Sequence, residues 1–97
     1  MPRSLKWLPE ALTDLVRLRE FIRVHNPDAA MRSAKRIREA AQRLLNLPFV
    51  GRPVTDIDTP EFRDLFISYG QGGYWMRYVV TDNEIIIIKP WHGREDR

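Results

Sequence analysis

His92 is the side chain best suited here to give or take a proton near neutral pH, because an unperturbed imidazole changes charge in that range. It follows Trp91 at the end of an apolar stretch and precedes the alternating charges of Gly93-Arg94-Glu95-Asp96-Arg97. The plainer reading is a strand-end residue bonded to backbone, followed by a frayed terminus. A second constellation is aromatic: Tyr74, Trp75, Tyr78 and Trp91. Rings on an open sheet stack bases or anchor a partner's helix, whereas rings in a core do neither. Arg77 shares strand parity with Trp75, so both project from one face. Tyr74, Met76, Tyr78 and Val80 project from the other face, which is the better core. A third constellation is basic. Arg32, Arg36 and Arg43 share a helix face with Glu39, a stripe that suits DNA phosphates or an acidic protein, or is only a solvated surface.

The chain has 97 residues, enough for one domain over 1–97. Hydrophobic residues at 43% and charged residues at 30% exclude a disordered chain. With no cysteine, disulfide staples and Cys-based zinc sites are excluded, and neither metal nor cofactor is expected. A net charge of +3 is compatible with an acidic or nucleic-acid partner but too small to single one out. No apolar run approaches the ~20 residues of a membrane helix, and no signal-peptide core follows Met1-Pro2-Arg3-Ser4. No membrane association is expected, and a cytoplasmic address follows.

The elements that must position these groups read off the periodicity. Residues 3–8 alternate, with Leu5 and Trp7 on one side, as in a short strand. Pro9 and Glu10 open a helix that Leu8 caps poorly. Over residues 10–25 an apolar stripe of Ala11, Leu15, Leu18 and Ile22 recurs, widened by Leu12 and Phe21. Asn26-Pro27-Asp28 breaks the helix and starts a second, from Pro27 to Leu45, with Ala30, Ala34, Ile37, Ala41 and Leu44 as its stripe. A helical hairpin follows. Residues 46–61 form a proline-punctuated loop, pinned to the core by Phe49 and Val50. Three strands follow: Phe62 to Tyr69, Tyr74 to Thr81 and Ile85 to Trp91. The turns Gly70-Gln71-Gly72-Gly73 and Asp82-Asn83 force an antiparallel meander. The fold class is α+β in the order β-α-α-β-β-β: a helix hairpin on one face of an antiparallel sheet, with the N-terminal strand at an edge and the other face open.

This order and these residues resemble the ParE/RelE toxin superfamily, and its ParE-like branch in particular. Trp7-Leu8-Pro9-Glu10-Ala11 is similar to the family's opening, with Leu8 where Ser or Thr is usual. Asn26-Pro27-Asp28-Ala29-Ala30 is similar to the helix junction of the ParE branch. Pro48-Phe49-Val50-Gly51-Arg52-Pro53 resembles its Pro-x-x-Gly-Arg-Pro loop. Arg63-Asp64-Leu65, the Tyr74 and Tyr78 pair, and His92-Gly93-Arg94-Glu95-Asp96 complete the likeness from Trp7 to Asp96.

The resemblance implies the toxin of a type II toxin–antitoxin system, held in a hetero-oligomer by a cognate antitoxin whose C-terminal segment folds on binding. It also implies one of two targets. ParE-like members inhibit DNA gyrase and need only a surface that favours one state of the enzyme. Candidates for that surface are Trp75, Arg77, Trp91, His92 and Arg94. The reading favoured is this one, an enzyme inhibitor with no catalytic residue of its own. The alternative is a RelE-like endoribonuclease acting on messenger RNA at the ribosome. Such chemistry needs a base for the 2′ proton, a cation for the phosphate and an acid for the leaving oxygen. His92, Arg63, Arg77 and Arg94 are the residues left to supply them. Trp75 stands where many RelE-type members carry Arg, and Asp64 and Phe66 stand near positions where several carry Lys, which depletes the set. A second alternative is an inactive or DNA-binding relative acting through the basic helix face.

Overall fold

Leu8 supplies no side-chain cap, and the helix it precedes starts instead on Pro9 and the acidic Glu10. This computed structural model describes residues 2–24, 26–55, 61–69 and 72–93. Strand β1 (Ser4–Trp7) leads into helix α1 (Pro9–Arg23). Helix α2 (Pro27–Arg43) starts on a true cap, the Asn26 side chain accepting the Ala29 N–H at 3.1 Å. The last four strands are β2 (Arg52–Pro53), β3 (Phe62–Ile67), β4 (Tyr74–Val80) and β5 (Glu84–His92). They join β1 in one sheet of order β1-β5-β4-β3-β2. β1 is the edge strand expected, but it runs parallel to β5, so the sheet is mixed. The two-residue β2 is an addition: the 46–61 loop touches the opposite edge at Arg52↔Asp64 and Pro53↔Arg63.

The core lies between the helical hairpin and one sheet face. Ala11, Leu15 and Leu18 face it from α1, and Ala30, Ala34, Ile37, Ala41 and Leu44 from α2. Tyr74, Met76, Tyr78, Ile85 and Ile87 face it from the sheet. Burial of each large side chain stabilises the fold by about 1.5–3 kcal/mol relative to exposure. Alanines on α2 let the two helices approach closely. Two expected core contacts are absent. Leu12 and Phe21 are exposed, because the α1 stripe needed by the sheet is only as wide as Ala11, Leu15 and Leu18. Phe49 and Val50 are also exposed and do not pin the loop.

β5 does not keep simple alternation. Between the pairs Tyr78↔Ile87 and Arg77↔Lys89 the register shifts by one residue, leaving Ile88 as a bulge. Unbroken alternation would have put Lys89 on the core face with Ile85 and Ile87. The bulge turns Lys89 away, to 3.6 Å from Asp14 on α1, and brings Pro90 into the core opposite Met76. It also moves Trp91 onto the outer face beside Trp75, and returns His92 to the helix side opposite Tyr74.

Candidate functional site

The outer face carries a row of rings and charges built from cross-strand neighbours. Phe66, Trp75 and Trp91 lie side by side on β3, β4 and β5. Phe66 meets Trp75 edge-on at 5.1 Å, and Trp75 stacks on Trp91 at 6.4 Å with planes 15° apart. The next row is Arg52, Asp64, Arg77 and Lys89. Arg77 donates from Nε and Nη2 to the two oxygens of Asp64, at 2.9 and 3.1 Å. Its guanidinium also lies 5.7 Å from the Trp91 ring centre, while Arg52 lies 5.0 Å over Trp75. Each ring of the row is therefore in contact with another ring or a cation.

A second cluster sits on the helix side, where the 48–51 loop crosses β3 and β4. The Tyr78 hydroxyl donates to the Pro48 carbonyl at 2.9 Å and accepts the Gly51 N–H at 2.8 Å. Arg63 donates to the carbonyls of Gly51 at 2.7 Å and Phe49 at 3.2 Å, and lies 5.2 Å over the Phe49 ring. Gly51 has no room for a side chain: a Cβ there would fall 2.7 Å from the Tyr78 oxygen. Burial pushes the Tyr78 phenol above its usual pKa, partly offset by the Gly51 N–H and the nearby Arg63 charge. The phenol therefore stays protonated at neutral pH and remains a donor to Pro48. Burial pushes Tyr74 up as well, with a Ser33 hydrogen bond working against it.

The residues singled out in the sequence thus fall in three places. Trp75 and Arg77 share the outer face, half-buried, as parity required. Trp91 joins them, but at 3% exposure it is a buried member of the row, not an accessible anchor. The bulge placed it under its neighbours, and alternation alone did not foretell that. Arg63 belongs to the loop cluster on the other face. His92, half-buried, is also on that other face, four positions along the sheet, with its ring edge-on to Tyr74 at 5.4 Å. The structure does not gather Arg63, Arg77 and His92 around one point, and Arg94 lies outside the described residues. Arg32, Arg36 and Arg43 are exposed along α2 as the helical spacing required. Arg36 reaches the Ser68 carbonyl at 2.8 Å. With Glu39, Arg43, Leu47, Val50 and Phe66, Arg36 lines an open groove of about 820 Å³ between α2 and β3. Among the described residues, no three His, Cys, Asp or Glu side chains group to hold a metal ion. No helix there is long and apolar enough to cross a membrane.

Asp64 as the partner of Arg77 is not legible from the turn expected at residues 70–73, which would pair Tyr69 with Tyr74 and set Phe66 opposite Arg77. The observed register begins at Ile67↔Tyr74, two residues further back, and so sets Asp64 opposite Arg77. The Tyr78 and Arg63 cluster carried no signal either, since its acceptors are main-chain carbonyls.

Residues 5–97 match the family model described as "ParE toxin of type II toxin-antitoxin system, parDE". The chain is 30% identical to "Toxin RelE3" of Caulobacter vibrioides, over 98% of this chain and 99% of that protein. It is 34% identical to "Toxin RelE2" of the same organism, over 90% and 91%. Its fold is similar to a solved chain of "Chromosomal ParDE TA system from P. aeruginosa", with a TM-score of 0.76, 23% identity, and coverage of 93% of this chain and 95% of that one.

Proposed function

This chain belongs to the ParE toxin family of type II toxin–antitoxin systems, and from that premise we propose that it inhibits DNA gyrase and is neutralised by a cognate antitoxin. The observation that supports the gyrase reading is the use of Arg77. A cation that served a cleaved phosphate would need its donors directed at the substrate. Here Nε and Nη2 are directed at Asp64, and the guanidinium rests on Trp91. Arg63 is likewise engaged with the 48–51 loop on the far side of the sheet from Arg77. An inhibitor requires no such convergence. It requires only a surface that binds one state of its target more tightly than the others. The row around Trp75, with Arg52 and Phe66 on its rim, is a rigid surface of that kind.

The test has two arms run with the same purified chain. Gyrase is supplied with supercoiled plasmid, and translating ribosomes are supplied with messenger RNA. Trapped DNA breaks in the first arm, and intact messenger in the second, are expected. Messenger cut in a pattern that His92→Ala abolishes would replace this reading with ribosome-dependent endoribonuclease action.

A further inference from the structure

We propose that the solvent-side seam between α1 and α2 docks an amphipathic helix of a partner protein, one whose apolar stripe is flanked by carboxylates. The proposal goes beyond the target reading above, since the seam lies on the side of the helices turned away from the sheet.

One spacing, used on both helices, builds the seam. Leu12, Val16, Arg19 and Arg23 stand at i, i+4, i+7 and i+11 on α1. At about 100° per residue they fall within an arc of roughly 60°. Met31, Lys35, Arg38 and Gln42 repeat that spacing on α2. Contacts to the sheet show which way each arc turns. Asp14, on the far flank of α1, reaches Lys89 of β5. Arg36, on the far flank of α2, reaches the Ser68 carbonyl just past β3. The helices pack side by side, α1 over β5 and α2 toward β3, so the two arcs face each other across their shared border.

The seam is partly apolar and otherwise positive. Leu12, Val16 and Met31 are 48%, 50% and 70% exposed. Arg19, Arg23, Lys35 and Arg38 are exposed around them. Among the described residues the carboxylate they meet is Glu20, 3.9 Å from Arg19 and 2.8 Å from Arg23. Four cations against Glu20 leave the seam strongly positive. Glu39, a turn beyond Lys35, lines the α2–β3 groove instead.

That composition selects the occupant. A second copy would set like charges against each other. A nucleic-acid backbone would meet the cations but give the three apolar side chains nothing to bury against. A strand finds no unpaired main chain along a helix flank. An amphipathic helix answers both parts. Its apolar stripe covers Leu12, Val16 and Met31, and carboxylates on its borders meet the cations. Leu12 and Arg23 lie about 16 Å apart along the axis, so a partner helix of about three turns fills the seam.

The probe is a synthetic peptide of about 18 residues, long enough to form a helix, with leucines at helical spacing and glutamates on both borders. Its binding to the full chain is measured by titration calorimetry, and a dissociation constant in the micromolar range is expected. Val16→Ser with Met31→Ser is expected to weaken it about tenfold. Lys35→Glu with Arg38→Glu is expected to weaken it by about tenfold as well, an effect that shrinks at high salt. Circular dichroism checks the fold of each variant. The charge-reversed chain should recover binding to the same peptide with lysines in place of its glutamates. Absence of peptide binding, or binding indifferent to Val16→Ser with Met31→Ser, overturns the proposal. Duplex DNA or vesicles of anionic phospholipid that bind more tightly than the peptide, through the same positions, reassign the seam and overturn it too. Gyrase trapping reads a different face of the molecule, so failure here and failure of the gyrase reading are told apart.

Discussion

On the outer face of the sheet Arg77 meets a carboxylate, whereas on the helix side Arg63 meets carbonyl oxygens and the Phe49 ring of the 48–51 loop. Both arginines are fixed, but for different ends. Asp64 is 5% exposed, and a carboxylate that deep requires a full counter-charge. The pair holds Arg77 flat against Trp91 and so sets the shape of the ring row. Arg63 carries no such obligation. Its charge gathers carbonyls, and with the Tyr78 hydroxyl it draws a loop across the sheet. The outer cluster fixes a surface through charge; the inner one fixes a chain path through hydrogen bonds.

Asp64→Ala strikes the outer cluster hardest. It leaves Arg77 without its bidentate partner, and loss of about 2–3 kcal/mol of stability is expected, somewhat below the range for a fully buried pair because Arg77 still reaches water. Urea denaturation measures it. An effect no larger than that of an exposed ion pair would mean that Asp64 is hydrated in solution and that the charge-based account is wrong. Tyr78→Phe strikes the inner cluster. It deprives Pro48 of a donor and Gly51 of an acceptor, for an expected loss of about 1–3 kcal/mol. Gly51→Ala should fall in the same range, since its methyl meets the phenol. Proteolysis within residues 46–55 sharpens the contrast: both inner variants should be cut faster there than Asp64→Ala, even at equal global stability. Arg52→Ala, on the rim of the outer row, removes one exposed cation–π contact and should cost about 0.5–1 kcal/mol. In the gyrase assay it should matter more than in the melt.

The difference between the clusters also explains what the amino-acid pattern disclosed. Helical stripes at Ala30, Ala34, Ile37 and Ala41 and the parity of Tyr74, Met76 and Tyr78 follow directly from hydrophobic periodicity, and the hairpin on a sheet was legible from them. Trp75 and Arg77 on the opposite face were legible for the same reason. Trp91 was not, because its face depends on the bulge at Ile88, and a run of four isoleucines carries no mark of where alternation breaks. The parallel pairing of β1 escaped too. Parallel and antiparallel edges present the same short apolar pattern in a strand as brief as Ser4–Trp7. The loop cluster was illegible in principle, since a tyrosine hydroxyl bonded to main chain leaves no trace in side-chain types.

Alkaline pH gives the smallest and most selective contrast. Tyr78 and Tyr74 have phenols raised above the usual value of 10.0, with burial the leading cause in both. In the unfolded chain these phenols ionise first, near their ordinary value, and in the folded chain only at higher pH. The unfolded state therefore binds fewer protons in that window, and stability falls as pH rises through it. Below the unfolded value both states carry the proton and the contribution is fully present. The melting temperature should stay level up to about pH 9 and then decline. Tyr78→Phe should melt lower at neutral pH yet lose less on the approach to pH 11, because one of the two raised phenols is gone. Asp64→Ala should shift the whole curve down and keep the wild-type slope, since both raised phenols remain in place. Parallel curves for wild type and Tyr78→Phe would mean that the phenol ionises alike in both states, and the neutral hydrogen-bond account of the loop cluster would fail.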